Sequence, residues 1–194
     1  MDYSLILKNI SKHITLNENE IDFFVKLLEH KKVKAKQKIL SEGDVCKYSN
    51  FVIKGCLRGY TIDKNGVEHV LNFAPADWWI GDIYSLVTQK PGSLNIESLE
   101  VTEFFQLSKT NQEILYEKIP KFERFFRIIL QNYLVANQQR LIDNMSLTAE
   151  DRYLNFCKTY PGLIYNLPQK QIAAYIGVTP EFLSKMKALL IRKK

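Results

Sequence analysis

Leu167-Pro168-Gln169-Lys170-Gln171-Ile172-Ala173-Ala174-Tyr175-Ile176-Gly177-Val178-Thr179-Pro180-Glu181-Phe182-Leu183-Ser184-Lys185-Met186-Lys187-Ala188-Leu189-Leu190 decides how this chain reads. Ile172, Ala173 and Ile176 set an apolar stripe on a short first helix. Gly177 follows, where a turn with positive φ costs glycine least. Thr179 is a good N-cap, Pro180 suits the first helical position and Glu181 suits the first turn. Phe182, Leu183, Met186, Leu189 and Leu190 then repeat at helical spacing and are expected to face a core. The other face carries Glu181, Ser184, Lys185 and Lys187. Two short helices joined by a glycine turn have the geometry that lays a second helix in a DNA major groove.

A helical hairpin that only closes a domain has the same ingredients, so the sign of the charge matters. Residues 179–194 hold five basic side chains, Lys185, Lys187, Arg192, Lys193 and Lys194, against the single acid Glu181. That is the balance needed to meet phosphates.

Outward from this segment, composition sets bounds. A chain of 194 residues has room for one large domain or two modest ones, and 46% hydrophobic with 25% charged residues is an ordinary globular mixture. No run approaches the roughly 20 apolar residues of a membrane span, so no membrane partner is expected. Met1-Asp2-Tyr3-Ser4 lacks the basic start and apolar run of a secretory signal. Cys46, Cys56 and Cys157 are scattered and odd in number, which suits a reducing cytoplasm without a disulfide framework. The net charge of +6 favours a polyanionic partner only weakly. Part of it lies in Lys32, Lys34, Lys36 and Lys38, which alternate with Val33, Ala35 and Gln37 and read as the wet face of an edge strand.

Three textures run along the chain. Residues 1–30 read as helical, with Ile21, Phe23, Phe24, Leu27 and Leu28 at helical spacing. From Val33 to about Ser108 short strands alternate with turn signals, including Ser41-Glu42-Gly43-Asp44 and the hairpin signal Asn65-Gly66. Such texture indicates a small antiparallel barrel or roll. After Lys109 the chain is helical, and Pro120 opens a segment reaching about Met145. Phe122, Phe125, Phe126, Ile129, Tyr133 and Ala136 form one apolar line there, and Leu130, Leu134 and Leu141 another. A helix that only faces its own core needs one stripe. Two predict a second chain, with Phe126, Ile129, Leu130, Tyr133, Leu134 and Leu141 at the dimer contact. The fold class is therefore α+β: an antiparallel roll of jelly-roll type with flanking helices over 1–117, a dimerisation helix over 118–146 and a helix-turn-helix domain over 147–194.

This order resembles the Crp/Fnr (cyclic-AMP receptor) family of bacterial transcription regulators over essentially the whole chain. Gly43, Gly55 and Gly66 match roll turns, Gly81-Asp82 the start of the ligand cassette, and Ile172–Leu190 the DNA-reading helix pair. Ser146–Tyr153 and Pro168–Ala173 look like a short Bacteroidetes-type subgroup. The resemblance implies a cytoplasmic homodimer on double-stranded DNA, with RNA polymerase as a further partner, a small-molecule effector and no bound cofactor. It places Gly81, Asp82, Ile83, Tyr84 and Ser93 at the effector pocket. It also implies that Pro180–Lys187 enters the groove, with Glu181 accepting from a cytosine amino group and Lys185 on a guanine edge. Thr179 and Ser184 would hold phosphate or base, Lys187 a phosphate, and Gln169 and Lys170 would approach from the first helix. Members usually add a β-hairpin wing after the recognition helix; this sequence stops at Lys194, so backbone contacts are expected from Lys193, Lys194 and the first helix.

The cassette departs from the cyclic-AMP-binding pattern. There Gly-Glu is followed about ten residues later by Arg-Ser or Arg-Thr, whose arginine pairs with the phosphate. Here the counterparts are Gly81-Asp82 and Gly92-Ser93, and no arginine occurs between Arg58 and Arg124. Lys90 offers a point charge without the bidentate fork. The pocket then takes another small molecule or is filled by Trp78, Trp79 and Tyr84. Iron–sulfur sensing is not expected from three isolated cysteines, and His69 with Cys56 is a weak ligand pair. A cupin-type metal enzyme needs clustered ligands, whereas His13, His30 and His69 are dispersed. A roll that signals through a protein partner, its helix pair kept only as structure, is the other alternative.

Losing one or two charge-assisted hydrogen bonds of roughly 1.5–3 kcal/mol each weakens a cyclic nucleotide about ten- to ten-thousand-fold. Isothermal titration is expected to show no cyclic-AMP binding at micromolar concentration; a micromolar isotherm would overturn this reading.

Overall fold

The computed structural model describes residues 1–192; the terminal lysines Lys193 and Lys194 and the Ile191 and Arg192 side chains lie outside the described residues. The chain divides into two compact units. One comprises Met1–Thr61 and Leu71–Gln131, the other Ile62–Val70 and the residues from Asn132 onward. The division falls inside the long helix rather than at either of its ends.

The first unit opens with α1 (Ser4–Ser11) and α2 (Glu18–Lys26). Asn17 begins α2 with a capping box: its side chain accepts from the Glu20 N–H at 2.9 Å, and the Glu20 carboxylate accepts from the Asn17 N–H at 2.8 Å. The strands are β1 (Leu28–Val33), β2 (Lys38–Leu40), β3 (Tyr48–Lys54), β4 (Cys56–Ile62), β5 (Glu68–Pro75), β6 (Trp79–Ile80), β7 (Asn95–Ser98) and β8 (Thr102–Ser108), with α3 (Ile83–Thr88) between β6 and β7. They form two four-stranded sheets, in the orders β1-β8-β3-β6 and β2-β7-β4-β5. β1 with β8, β3 with β8, and β4 with β7 pair antiparallel, so the α+β roll stands as read. α4 (Lys109–Lys118) and α5 (Lys121–Ser146) follow.

The lysine run differs in detail from its period-two reading. β1 is an edge strand, and Lys32 pairs with Glu103 on β8 at 2.9 Å. The strand stops at Val33, however, and Lys36 takes φ 62° in the turn leading to β2. Leu28, which fits the preceding helical pattern, instead opens β1 opposite Leu107. Helical spacing and a strand start coincide there, and pairing with β8 decides.

Two apolar clusters hold the roll. Val52, Ile80 and Phe104 from one sheet meet Leu57, Ala74 and Ile96 from the other. The second cluster joins Phe51, Phe105 and Leu107 to the helices through Ile6, Ile10, Phe24, Leu115, Phe122 and Phe125. Its rings pack closely, stacked with centroids 4.9 Å apart for Phe24–Phe122 and edge-to-face at 5.0 Å for Phe125–Phe126. Trp79 belongs here too, 5.2 Å from Phe51 and 5.4 Å from Phe126. It is half-buried and packs against this core rather than plugging the ligand cassette. Trp78 and Tyr84 are exposed.

The same cluster corrects part of the expected dimer contact. Phe126 is buried in the roll's own core and Ile129 packs against that core. Further along α5, Leu130, Tyr133, Leu134 and Leu141 are exposed, as are Val135, Ile142 and Met145.

The second unit contains the C-terminal half of α5, then α6 (Ala149–Thr159), α7 (Gln169–Ile176) and α8 (Pro180–Arg192). Thr148 caps α6, its hydroxyl accepting from the Asp151 N–H at 3.2 Å. No helix among the described residues is long and apolar enough to cross a membrane.

Phe122 is fully buried with aromatic partners around it. Phe122→Ala is expected to lower the unfolding free energy by about 3–5 kcal/mol, the cost of a large cavity in a packed core, measured by urea denaturation.

Candidate nucleic-acid interface

The helix pair is built on buried aromatic and aliphatic side chains. Ile172, Ala173 and Ile176 of α7 and Leu183 and Met186 of α8 are buried, together with Tyr153 and Phe156 of α6 and Tyr160 just after it. Phe156, Tyr160 and Tyr175 form a three-ring group with centroids 5.3–5.6 Å apart. Gly177 turns the chain with φ 75°, ψ 41°, and the N–H groups of Gly177 and Val178 both donate to the Ala173 carbonyl at 3.0 Å. Another residue there would strain the left-handed backbone.

Two arginines hold the end of α7. Arg152 Nε donates to the Ile176 carbonyl at 2.9 Å, and its Nη1 donates to the Leu147 carbonyl at 2.8 Å. Arg140 Nη2 donates to the Tyr175 carbonyl at 2.8 Å and to the Val70 carbonyl at 2.7 Å, and its guanidinium carbon lies 4.1 Å from the centre of the Tyr175 ring. The last carbonyls of a helix lack intrahelical partners and carry partial negative charge, so two guanidinium groups fit there. Sequence reasoning assigned neither residue a role.

Thr179 caps α8: its carbonyl accepts from the Leu183 N–H at 3.0 Å and its hydroxyl from the Phe182 N–H at 3.2 Å. Lys170, Thr179, Glu181, Ser184 and Lys185 are exposed, and Gln169 and Pro180 are half-buried. The Gln169 Oε1 is buried and, among the described residues, lacks a hydrogen-bond partner. The Glu181 carboxyl is held below the usual carboxylate range by its own backbone N–H and then by the Thr179 hydroxyl. It is thus an ionised acceptor near neutral pH. Lys187 differs from Lys185: it is half-buried, with its ammonium 5.7 Å from the centre of the Tyr153 ring on α6. Phe182 and Leu189, read as core positions, are instead exposed.

In the roll, Asp82 is buried and caps α3, its Oδ1 accepting from the Ser85 N–H at 3.0 Å. Ser85 is fully buried; its hydroxyl accepts from the Cys46 N–H at 2.8 Å and donates to the Lys90 carbonyl at 2.6 Å. Gly92 joins this arrangement through its N–H to the Asp44 carbonyl and its carbonyl from the Gly43 N–H. A Cβ at Gly92 would collide with the Asp82 carboxylate. The position that resembles the phosphate-pairing arginine therefore faces a carboxylate, which repels an anion. Gly81 and Ile83 are half-buried, while Tyr84 and Ser93 are exposed. None of these five residues lines a cleft of about 470 Å³ bordered by Ile39, Leu40, Asp44, Tyr48, Asn50, Ile96 and Gln106.

Arg58 is committed elsewhere in the roll. Its Nε and Nη2 donate to Glu97 Oε1 at 3.0 and 2.6 Å, and the Tyr60 hydroxyl donates to Glu97 Oε2 at 3.2 Å. Burial pushes the Cys56 thiol up to about 12, and exposed His69 sits 3.0 Å from the Asp63 carboxylate in the β4–β5 hairpin. Among the described residues no group of three or more His, Cys, Asp or Glu is placed to hold a metal ion.

A nucleotide-type roll followed by a long helix and a helix-turn-helix defines a class of regulator, and comparison with known proteins agrees. Residues 30–118 match the cyclic nucleotide-binding domain family. The anaerobic regulatory protein of Haemophilus influenzae is 22% identical, covering 89% of this chain and 71% of its own. The fumarate and nitrate reduction regulatory protein of Vibrio cholerae is also 22% identical, covering 89% and 73%. The fold recurs in the c-di-GMP responsive global regulator CLP of Xanthomonas campestris, with TM-score 0.73, 13% identity and coverage of 91% and 93%. It recurs in FixK2 of Bradyrhizobium japonicum, with TM-score 0.73, 17% identity and coverage of 86% and 85%. Together these likenesses support a Crp/Fnr-type regulator.

Arg152→Met is expected to destabilise the second unit by about 2 kcal/mol, because charged hydrogen bonds disappear and part-buried carbonyls lose their donors. The check is the urea midpoint followed by near-ultraviolet circular dichroism, which reports the Phe156–Tyr160–Tyr175 rings.

Proposed function

We propose that this chain is a homodimeric Crp/Fnr-type transcription regulator that reads double-stranded DNA with α8 and does not use cyclic AMP. The observation that carries the reading is the capped α8, anchored by buried Leu183 and Met186, whose opposite face presents Glu181, Ser184 and Lys185 to solvent. The N-terminal turns of the second helix are the part of such a pair that meets base edges. Lys185 is suited to a guanine edge and ionised Glu181 to a cytosine amino group. Lys170 and Thr179 flank them for phosphates, and Gln169 stands at the start of α7. Lys187, drawn towards Tyr153, would serve the backbone at most.

The dimer contact we propose is the exposed stripe of α5. Leu130, Leu134 and Leu141 stand at i, i+4 and i+11, with Asn137 completing the same line. Leucines at this spacing pack against a second copy of the helix, and one asparagine in such a seam fixes the register. Two copies related by a two-fold axis would address half-sites about one helical turn, roughly 34 Å, apart. In the roll, Asp82 set against Gly92 supports an effector other than a cyclic nucleotide bound through this cassette, or none at all.

Selection from a random double-stranded DNA library, with no nucleotide added, is expected to enrich a two-fold symmetric site. Lys185→Ala is expected to relax preference at one base pair per half-site, at about 1–3 kcal/mol of discrimination. Lys170→Gln is expected to weaken all sequences alike and to lower the salt slope by about one for each phosphate no longer neutralised. A Lys185→Ala protein with unchanged affinity and preference would overturn the docking.

A further inference from the structure

Phe182 carries an observation that the electrostatic reading of α8 does not absorb. Its ring is 51% exposed in the first turn of the helix, while its neighbour Leu183 is fully buried. The backbone there is fixed, since the Phe182 N–H donates to the Thr179 hydroxyl at 3.2 Å. Residues three or four apart on a helix stand side by side. Phe182 therefore adjoins Lys185, and the row continues to Leu189, 57% exposed. Glu181 and Ser184 form the adjoining row. The unit's core does not use the ring, because Leu183 and Met186 already supply the buried stripe. A large ring among a cation, a carboxylate and a hydroxyl is matched by a surface that is polar and anionic overall but holds a small apolar feature. The major groove is such a surface: its base edges are polar except for the thymine C5-methyl group.

We infer that Phe182 is a specificity-determining residue that packs against a thymine methyl in each half-site, next to the base pair met by Lys185. The inference rests on the reading of α8 as the DNA-reading helix. A protein partner or a second copy seated on Phe182 would leave binding indifferent to that methyl.

The test uses the full-length protein and the site it selects. Each thymine of the half-site is replaced in turn, in both half-sites together, by deoxyuridine, which pairs identically and lacks only the methyl group. Dissociation constants are then read by fluorescence anisotropy for wild type and Phe182→Ala. One position is expected at which the exchange weakens wild type about fourfold per half-site, the worth of one buried methyl. The same exchange should leave Phe182→Ala unaffected. Wild-type binding that ignores deoxyuridine at every position overturns the assignment without using a variant. So does an equal penalty in Phe182→Ala. If no sequence is enriched at all, the DNA reading of α8 fails, and the role of Phe182 fails with it. A selected site without a methyl effect removes Phe182 alone.

Discussion

Aromatic packing at the start of α5 is the constraint on which the rest of the chain depends. Phe122, Phe125 and Phe126 enter the cluster formed by Phe24, Phe51 and Trp79, and this commits the first turns of the helix to the roll. Rings of this size bury more apolar area than any other side chain and prefer offset or edge contacts, so they fix direction as well as depth. Beyond Ile129 the same continuous helix has no such cluster, and its leucines stand in solvent. One helix thus belongs to two compact units. Its first part is core, and its second part presents an apolar line that the single chain leaves uncovered.

Much of this was legible because periodicity and punctuation act locally. The alternation of strands and turns from Val33, the proline before α5, and the Gly177–Thr179–Pro180 signal each correspond to an element or boundary in the structure. Reading failed where two elements compete for one residue. Leu28 satisfies a helical pattern yet pairs with Leu107, and Phe126 shares the apolar line expected at the dimer contact yet lies in the core. Phe182 and Leu189 share helical spacing with Leu183 and Met186, but only two of the four fit the side facing α6 and α7. Spacing defines a stripe, whereas burial depends on how wide the contact is. The arginines were invisible for another reason: whether a basic side chain meets phosphate or carbonyl depends on partners 35 and 70 residues away, such as Tyr175 and Val70 for Arg140.

The ligand cassette shows how one missing side chain is filled. Without an arginine at position 92, the space beside α3 is taken by Asp82, which caps the helix and abuts the glycine. Ser85, Gly43 and Asp44 close the surrounding main-chain hydrogen bonds. The segment is therefore satisfied by its own groups. The nearest arginine in the roll, Arg58, is held by Glu97 and stacked 3.9 Å from the Tyr60 ring centre. Beside Gly92 the cassette thus presents a carboxylate where a phosphate clamp would need a cation.

The guanidinium groups of Arg140 and Arg152 at the end of α7 also bear on the entropy of recognition. With its last two carbonyls held and Gly177 fixed in its left-handed turn, the helix pair reaches any partner already ordered. Association then loses little backbone freedom beyond that of the surface side chains. Discrimination between partners in such a rigid body comes from fit and charge rather than from folding on contact. Its heat-capacity change should accordingly reflect the area covered and not the ordering of a segment.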